Sequence, residues 1–450
     1  MKTRTRSNKA IVALLGIAAS ITMVGATAAP TIPLQATTPN IILIVTDDQR
    51  DGLGVMPTTR RLFVDEGKNF PRAFVTTPLC CPARASIMTG RYVHNHGVLS
   101  NGVDDWEQFV ESDSIQAQLQ GAGYRTALFG KLLNHWPQSR DPAHFDTWAL
   151  LPDVAGRTGY YGATWNLDGE QKKVNTYSTS FLEQKATSFI GSSEVDDAKP
   201  FYMYIATAAA HRSFVPEPKY EGASVPRWRG NRAVFEKDRS DKPSYVRNAS
   251  FSFADGKARR AAQLRTLMSV DDMIEGIFEA LEAAGEQDTL VIFVSDSGYL
   301  WGEHGLTNKQ VPYEESIRMP MMLRWPGHSS GADDRLVTNV DIAPTIYAAA
   351  GVSKATDGRD LLDLSWTRDH IHLEYFGDPN APSIPRWFST WTPEGQYVEY
   401  FGAGAAVTFR EYYDLITDPW QLENLKRPPD ASSWELRLNA DRRCVETSCP

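Results

Sequence analysis

The apolar residues of this chain come in two distinct patterns. Residues 41–45 (IILIV) form an unbroken apolar run that ends in Thr46 and two carboxylates, Asp47 and Asp48. Unbroken rather than alternating hydrophobicity predicts a strand buried on both faces, as in a parallel sheet covered by helices. A second run, FYMYIATAAAH at 201–211, ends at His211, and a third, TLVIFVSDSG at 289–298, carries Asp296 and Ser297 at its end. Between them the apolar period lengthens to that of a helix over 114–122, 180–190 and 261–284. The last has apolar residues at Leu264, Leu267, Met268, Met273, Ile274, Ile277, Phe278 and Leu281. Alternating strands and helices predict a doubly wound α/β domain with a helix-covered, mostly parallel sheet. Three strands thus carry polar residues at their C-terminal ends, the edge where open α/β sheets bind ligands.

Beyond residue 365 the pattern changes. HIHLEYF, WFSTWT, QYVEYF and FREYYDL are short aromatic-rich strand candidates separated by Pro and Gly. They predict a small antiparallel C-terminal subdomain over 366–450, following an α/β domain over 38–365. Residues 213–258, rich in Pro, Arg and Ser with weak periodicity, predict a long surface excursion near the substrate entrance. At the N-terminus, Lys2, Arg4, Arg6 and Lys9 precede an apolar stretch and the small-residue site Ala26-Thr27-Ala28. This is the pattern of a signal peptide over 1–28. The stretch is short for a membrane anchor, so the expectation is a secreted protein with no membrane attachment after cleavage.

The 450 residues are 42 % hydrophobic and 11 % aromatic, enough for a large core without metal or disulfides. A net charge of −9 argues against nucleic acid as a partner, because no basic stripe supplies the phosphate-neutralising interaction. A few local cations still suffice to draw an anionic small substrate into one pocket. In an oxidising compartment Cys444 and Cys449 are placed to close a small loop. The other two of the four cysteines, Cys80 and Cys81, are adjacent.

Adjacent Asp47 and Asp48, joined by Asp296 from another strand end, are hard oxygen donors suited to calcium or magnesium, and Ser297 adds a weak hydroxyl ligand. Few His or Cys residues cluster at zinc-like spacing, which makes a zinc site the less attractive reading. Cys80-Cys81-Pro82-Ala83-Arg84 precedes ASIMTGRY, which reads as a helix start with Pro in its first turn. A group there faces free backbone amides and suits an anion. Two buried or paired cysteines fit the same residues. Arg84 suits bidentate contact with an oxyanion or a surface salt bridge. Taken singly, Lys131 and Lys309 read as solvated lysines and His211 as a core histidine.

Cys80-x-Pro82-x-Arg84, extended through Thr89-Gly90-Arg91, resembles the signature of the type I sulfatases. PNIILIVTDDQ, GYRTALFGK, VSDSGYLWGEHGL, KQVPYEESIRMP, NVDIAPTIYAAAG and YYDLITDPWQLENL resemble further blocks of that family in the same order, from about 39 to 425. The resemblance implies an alkaline-phosphatase-like fold and a Cα-formylglycine made from Cys80 by a formylglycine-generating enzyme. It implies one Ca²⁺ held by Asp47, Asp48, Asp296 and Ser297 beside the residue at position 80. Its hydrated aldehyde would attack sulfur and release the alcohol, and loss of the second hydroxyl proton would expel the sulfate. Arg84 would orient that group, Lys131 and Lys309 would bind sulfate oxygens, and His211 would contact the sulfate or protonate the leaving oxygen. His94 and His96 would line the pocket.

Several positions depart from the family pattern. Ser297 stands where Asn or His is usual and is a poorer ligand. Leu133 stands where many members have a histidine, with His135 nearby as a substitute, and Ala210 replaces a proline. The GKxLN form with Asn134, and the TTPLCC-to-HNHG block, resemble the N-acetylglucosamine-6-sulfatase and heparan endosulfatase branch. The expected substrate is a sulfated small molecule or glycan, either a sulfated N-acetylglucosamine or an aryl sulfate. Two alternatives remain open: a phosphonate or phosphodiester hydrolase using the same formylglycine, and a catalytically silent sulfoglycan-binding protein.

Overall fold

A computed structural model describes residues 38–153, 159–193, 199–402, 404 and 406–450. The expected signal peptide lies outside the described residues. The first apolar run is strand β1 (Asn40–Thr46), and every one of its residues is buried. Alternate side chains explain why the run is unbroken. Ile41, Leu43 and Val45 enter one core, and Ile42 and Ile44 enter another on the opposite face.

Further along the chain come β2 (Arg125–Gly130), β3 (Thr147–Leu150), β4 (Phe201–Ala206), β5 (Thr289–Ser295) and β6 (Met321–Arg324). They form the centre of a ten-stranded sheet in the order β6-β5-β1-β4-β2-β3, flanked by short edge strands. β5, β1, β4, β2 and β3 run parallel, and β6 is antiparallel to β5. In register, Thr46 faces Ser295 on one side and Val45 faces Ala206 on the other. The polar ends of three sequence-distant runs therefore meet at one edge.

Helices cover both faces. α1 (Cys80–Thr89), α2 (Val93–His96) and α3 (Ile115–Gly121) precede β2, α4 (Ser178–Ser193) precedes β4, and α5 (Phe253–Ala284) precedes β5. The helix expected over 261–284 begins eight residues earlier. Ser252 caps it, its hydroxyl accepting the Asp255 N–H, and Gly285 ends it in the left-handed region at φ 77°. Its apolar residues Leu264, Leu267, Ile274 and Ile277 pack with Ile42 and Ile44. Up to the start of α5 at Phe253, residues 213–252 include only short helical turns. Part of their charge is spent inside the fold. Lys242, fully buried, donates to the Tyr413 hydroxyl and the Gln421 carbonyl, and Arg239 donates to the carbonyls of His304 and Ala249.

The C-terminal strands β7 (Ile371–Tyr375), β8 (Arg386–Trp391), β9 (Gly395–Phe401) and β10 (Val407–Asp414) form a separate antiparallel sheet in chain order. Helix α6 (Ala431–Asp441) follows it, and Cys444 and Cys449 form a disulfide. This sheet shares its core with the large one: Trp391 lies 4.5 Å from Phe74, ring centre to ring centre, and Trp387 donates to the Gln310 carbonyl. Among the described residues no helix is long and apolar enough to cross a membrane.

Ile42 is wholly buried at the centre of the sheet. Ile42→Ala is expected to lower unfolding free energy by about 2–5 kcal/mol, read from the urea midpoint at unchanged slope. A loss below about 0.5 kcal/mol contradicts the packing described.

Candidate active site

The chain leaves β1 at Thr46, and Asp48 adopts a left-handed conformation, φ 64°, which Asp tolerates better than most residues. The Asp48 amide donates to Asp296 Oδ1 at 3.1 Å and the Gln49 amide to Ser295 Oγ at 2.9 Å, fastening the end of β1 to the end of β5. Asp47, Asp48 and Asp296 are each at most 1 % exposed. One donor atom from each, with one from Cys80, lies within 4.8 Å of the others. Ser297 does not stand apart from them: its hydroxyl donates to Asp48 Oδ1 at 3.0 Å.

Cys80 is the first residue of α1, which follows extended Leu79 and stops at Gly90 with φ 69°. Four residues on, Arg84 lies wholly buried beneath the same carboxylates. Its Nε donates to Asp296 Oδ2 at 2.8 Å and Nη1 to the Lys131 carbonyl at 3.2 Å, and Nη2 sits 3.4 Å from Asp47 Oδ2. The end of β2 supplies Lys131. Gly130, at φ 110°, has no room for a side chain because a Cβ would run into the Ala206 carbonyl oxygen. That carbonyl accepts the Lys131 amide, and Lys131 Nζ donates to Asp47 Oδ2 at 2.8 Å. Lys309 Nζ donates to Asp48 Oδ1 and, at 2.8 Å, to Cys80 Sγ.

Three buried carboxylates this close repel one another unless cations neutralise them. In the structure, Arg84, Lys131 and Lys309 do so. Burial alone would raise the Asp47 pKa, but Lys131, His211, Arg84 and Lys309 hold it well below the usual carboxylate range. The opposite holds for Cys80. Burial, then the Asp47 charge, push its thiol far up, against the pull of Lys131 and Lys309. Its Sγ–H is 3.5 Å from Asp47 Oδ1. The thiol is therefore neutral at physiological pH and a weak nucleophile as it stands. The all-oxygen donor set of Asp47, Asp48, Asp296 and Ser297 fits a hard divalent cation.

A cavity of about 450 Å³ opens above Cys80, and Asp47, Lys131, His211 and Lys309 line it. His211 Nδ1 is 2.7 Å from the Arg212 carbonyl, which fixes Nδ1 as a donor and leaves Nε2 3.9 Å from Asp48 Oδ2. The structure thus brings together Asp47, Asp48, Cys80, Arg84, Lys131, His211, Asp296, Ser297 and Lys309, but not the two histidines expected at the pocket. His94 bonds Glu374 and the Cys444 carbonyl, and His96 bonds Ser86, so neither lines the cavity. Leu133 is core, whereas His135 does line the cavity, 3.7 Å from Asp153. No residue of 213–258 lines it.

Asn101, Asp153, Tyr160, Gln310, Asp378 and Asn380 also line the cavity and carry no local sequence signal. Asp378 arrives from the turn after β7, held by Gln310 Nε2 at 2.7 Å. The GDPN sequence at 377–380 marks a turn and no more.

Replacing Arg84 by Met leaves Asp47 and Asp296 without the guanidinium between them. The variant is expected to lose about 3–5 kcal/mol of stability in chelator-containing buffer, with part of the loss recovered on adding calcium. Urea unfolding with and without calcium measures both, and a variant as stable as the parent contradicts the cluster.

Residues 39–352 match the family model described as Sulfatase, and 302–443 match that described as N-sulphoglucosamine sulphohydrolase, C-terminal. The chain is 36 % identical over 350 residues to a putative extracellular sulfatase Sulf-1 homolog of Caenorhabditis elegans, covering 72 % of this chain and 49 % of that one. It therefore spans about half the length of that relative. It is 30 % identical over 479 residues to N-acetylglucosamine-6-sulfatase of Homo sapiens, covering 91 % of this chain and 86 % of that one. A protein solved in complex with its substrate D-glucosamine-2-N,6-O-disulfate superposes with a TM-score of 0.75 at 23 % identity, over 89 % of this chain and 96 % of the other. That last likeness is one of fold. Matching over most of its length, with the family's signature cysteine at the floor of the cavity, the chain belongs to the sulfatase family of sulfuric ester hydrolases.

Proposed function

We propose that the protein is an exported, calcium-dependent sulfatase that hydrolyses sulfate esters through a formylglycine made from Cys80, acting on 6-sulfated N-acetylglucosamine in glycans. The single observation that carries the reading is the placement of a neutral, buried thiol between three carboxylates and the ammonium groups of Lys131 and Lys309. A thiol so placed gains nothing as a nucleophile, whereas an oxygen nucleophile at the same point would meet the Lys309 ammonium and a cation held by the carboxylates. Formylglycine supplies that oxygen as a hydrated aldehyde, and calcium on Asp47, Asp48, Asp296 and Ser297 supplies fixed positive charge beside it.

The chain's own residues do the remaining work. Lys131 and Lys309 bind the sulfate oxygens and stabilise the charge that grows on them. Arg84 is too buried to meet substrate directly and holds Asp47 and Asp296 in place. With Nδ1–H committed to the Arg212 carbonyl, His211 takes up a proton at Nε2 and hands it to the leaving oxygen. The 6-sulfated amino sugar is supported by the name of the human relative and by the cavity wall, where Asn101, Asp153, Asp378 and Asn380 offer partners for sugar hydroxyls. Export is supported by the pattern of residues 1–28 and by the extracellular name of the nematode relative.

Full-length protein co-produced with a formylglycine-generating enzyme is expected to release sulfate from N-acetylglucosamine-6-sulfate, and to do so faster than it cleaves an aryl phosphodiester. Cys80→Ala should cost at least about 1,000-fold in kcat, Lys131→Ala about 100-fold, and chelation should abolish turnover until calcium returns. Protein with verified aldehyde and calcium that leaves every sulfate ester intact contradicts the reading and favours a sulfoglycan-binding role. Faster phosphodiester turnover contradicts the assigned substrate class.

A further inference from the structure

The two histidines that sequence reading placed at the cavity belong to a different cluster. β7 carries His372 and Glu374 two residues apart, so both side chains leave the same face of the strand. Both are wholly buried. α2 brings His94 against them from the helix pair that begins at Cys80. One donor atom from each of His94, His372 and Glu374 lies within 4.8 Å of the other two. His94 Nδ1 is 2.8 Å and His372 Nε2 is 3.4 Å from the same atom, Glu374 Oε2. Two ligands at tetrahedral angles on a cation with bonds of about 2.0–2.1 Å stand roughly 3.4 Å apart. The three groups are thus already near ligand spacing.

Two further observations separate this cluster from an ordinary buried ion pair. The first is His372. Its Nδ1 has no hydrogen-bond partner, its Nε2 has only the 3.4 Å approach to Glu374 Oε2, and the residue is 0 % exposed. A buried imidazole this poorly satisfied is costly unless something else engages it. The second is His94, whose Nε2 lies 3.0 Å from the Cys444 carbonyl. A backbone carbonyl accepting from one ring nitrogen, while the other faces the ligand cluster, is the usual support of a metal-bound histidine. Around the three, Tyr92 stacks on His94, Phe388 stacks on His372, and the Cys444–Cys449 disulfide loop sits alongside. Apolar walls of this kind keep water from competing for the site.

We propose that His94, His372 and Glu374 form a metal site for a borderline divalent cation of the zinc type, separate from the carboxylate cluster of the cavity. Two imidazoles and one carboxylate suit Zn²⁺, whereas the all-oxygen set at Asp47, Asp48 and Asp296 suits a hard cation. Binding displaces the proton that His94 Nδ1 otherwise shares with Glu374, so affinity falls as pH drops. The site's position gives it a structural role. It joins β7 of the C-terminal sheet to α2, and the Glu374 amide also donates to the Thr76 carbonyl, four residues before Cys80. The cation would clip the C-terminal sheet to the segment that presents Cys80, independently of whichever ester the enzyme cleaves.

Untagged full-length protein, stripped of metal and returned to excess calcium, is titrated with Co²⁺ and then Zn²⁺. One equivalent of Co²⁺ should give the intense visible bands of a low-coordinate nitrogen and oxygen site, which Zn²⁺ then bleaches. Asp296→Asn should keep the bands. His372→Gln should lose them and weaken Zn²⁺ binding by at least about 100-fold, more than loss of an outer partner costs. His94→Gln, altered at the more exposed ligand, is the second variant should the first fail to fold. Zn²⁺ should also raise the Tm of the parent protein and not that of either folded variant. Parent protein that takes up no Co²⁺ or Zn²⁺ beyond the calcium-competed site overturns the proposal, as do bands that persist in both variants.

Discussion

Everything at the open edge of the sheet depends on holding three carboxylates together out of water. Asp47, Asp48 and Asp296 are buried, so each loses its hydration and repels the others. Two opposite charges 4 Å apart attract by about 4 kcal/mol at an effective dielectric of 20, and desolvation takes back much of that. The cluster therefore stands only because Arg84, Lys131 and Lys309 bring matching cations, each from a different part of the chain. The cost is accepted at the edge of the sheet where, in the proposed function, a charged sulfate group and a hard cation would meet. A core of apolar residues there would be cheaper and would catalyse nothing.

That constraint explains features that look unrelated in the sequence. Gly130 has no side chain because β2 must bring Lys131 past the Ala206 carbonyl. Asp48 takes a left-handed backbone so that its carboxylate meets Ser297 and Lys309. Arg84 is buried whole because its fork has to reach Asp296, Asp47 and the Lys131 carbonyl at once. The C-terminal sheet belongs to the same arrangement. It shares a core with the large sheet through Trp391 and Phe74 and sends Asp378 to the wall of the cavity.

Much of this was legible before any coordinates. The unbroken runs at 41–45, 201–206 and 289–294 declared buried parallel strands, because a strand covered on both faces has no polar side to show. Their polar ends followed from chain order alone. Distances across the fold were not legible. His94 and His96 sit in a block that resembles the family's, yet α2 turns His94 toward Glu374 of β7, 280 residues away in sequence, and His96 toward Ser86. Asp378 reaches the cavity from a turn whose local chemistry says only that a turn occurs, and nothing local marks Asp153. The excursion at 213–258 lines no part of the cavity, and its composition does not show that Lys242 is spent on buried oxygens.

The account turns on the chemical state of one side chain, and a single peptide decides it. Cleavage after Arg72 and Arg84 yields residues 73–84, which hold Cys80 and Cys81 together. Mass spectrometry of that peptide, after thiol alkylation of fully active protein, should find one alkylated cysteine at position 81 and an aldehyde at position 80. The same peptide from Cys80→Ala protein should show no aldehyde. Two alkylated thiols in fully active protein would contradict the account at its centre.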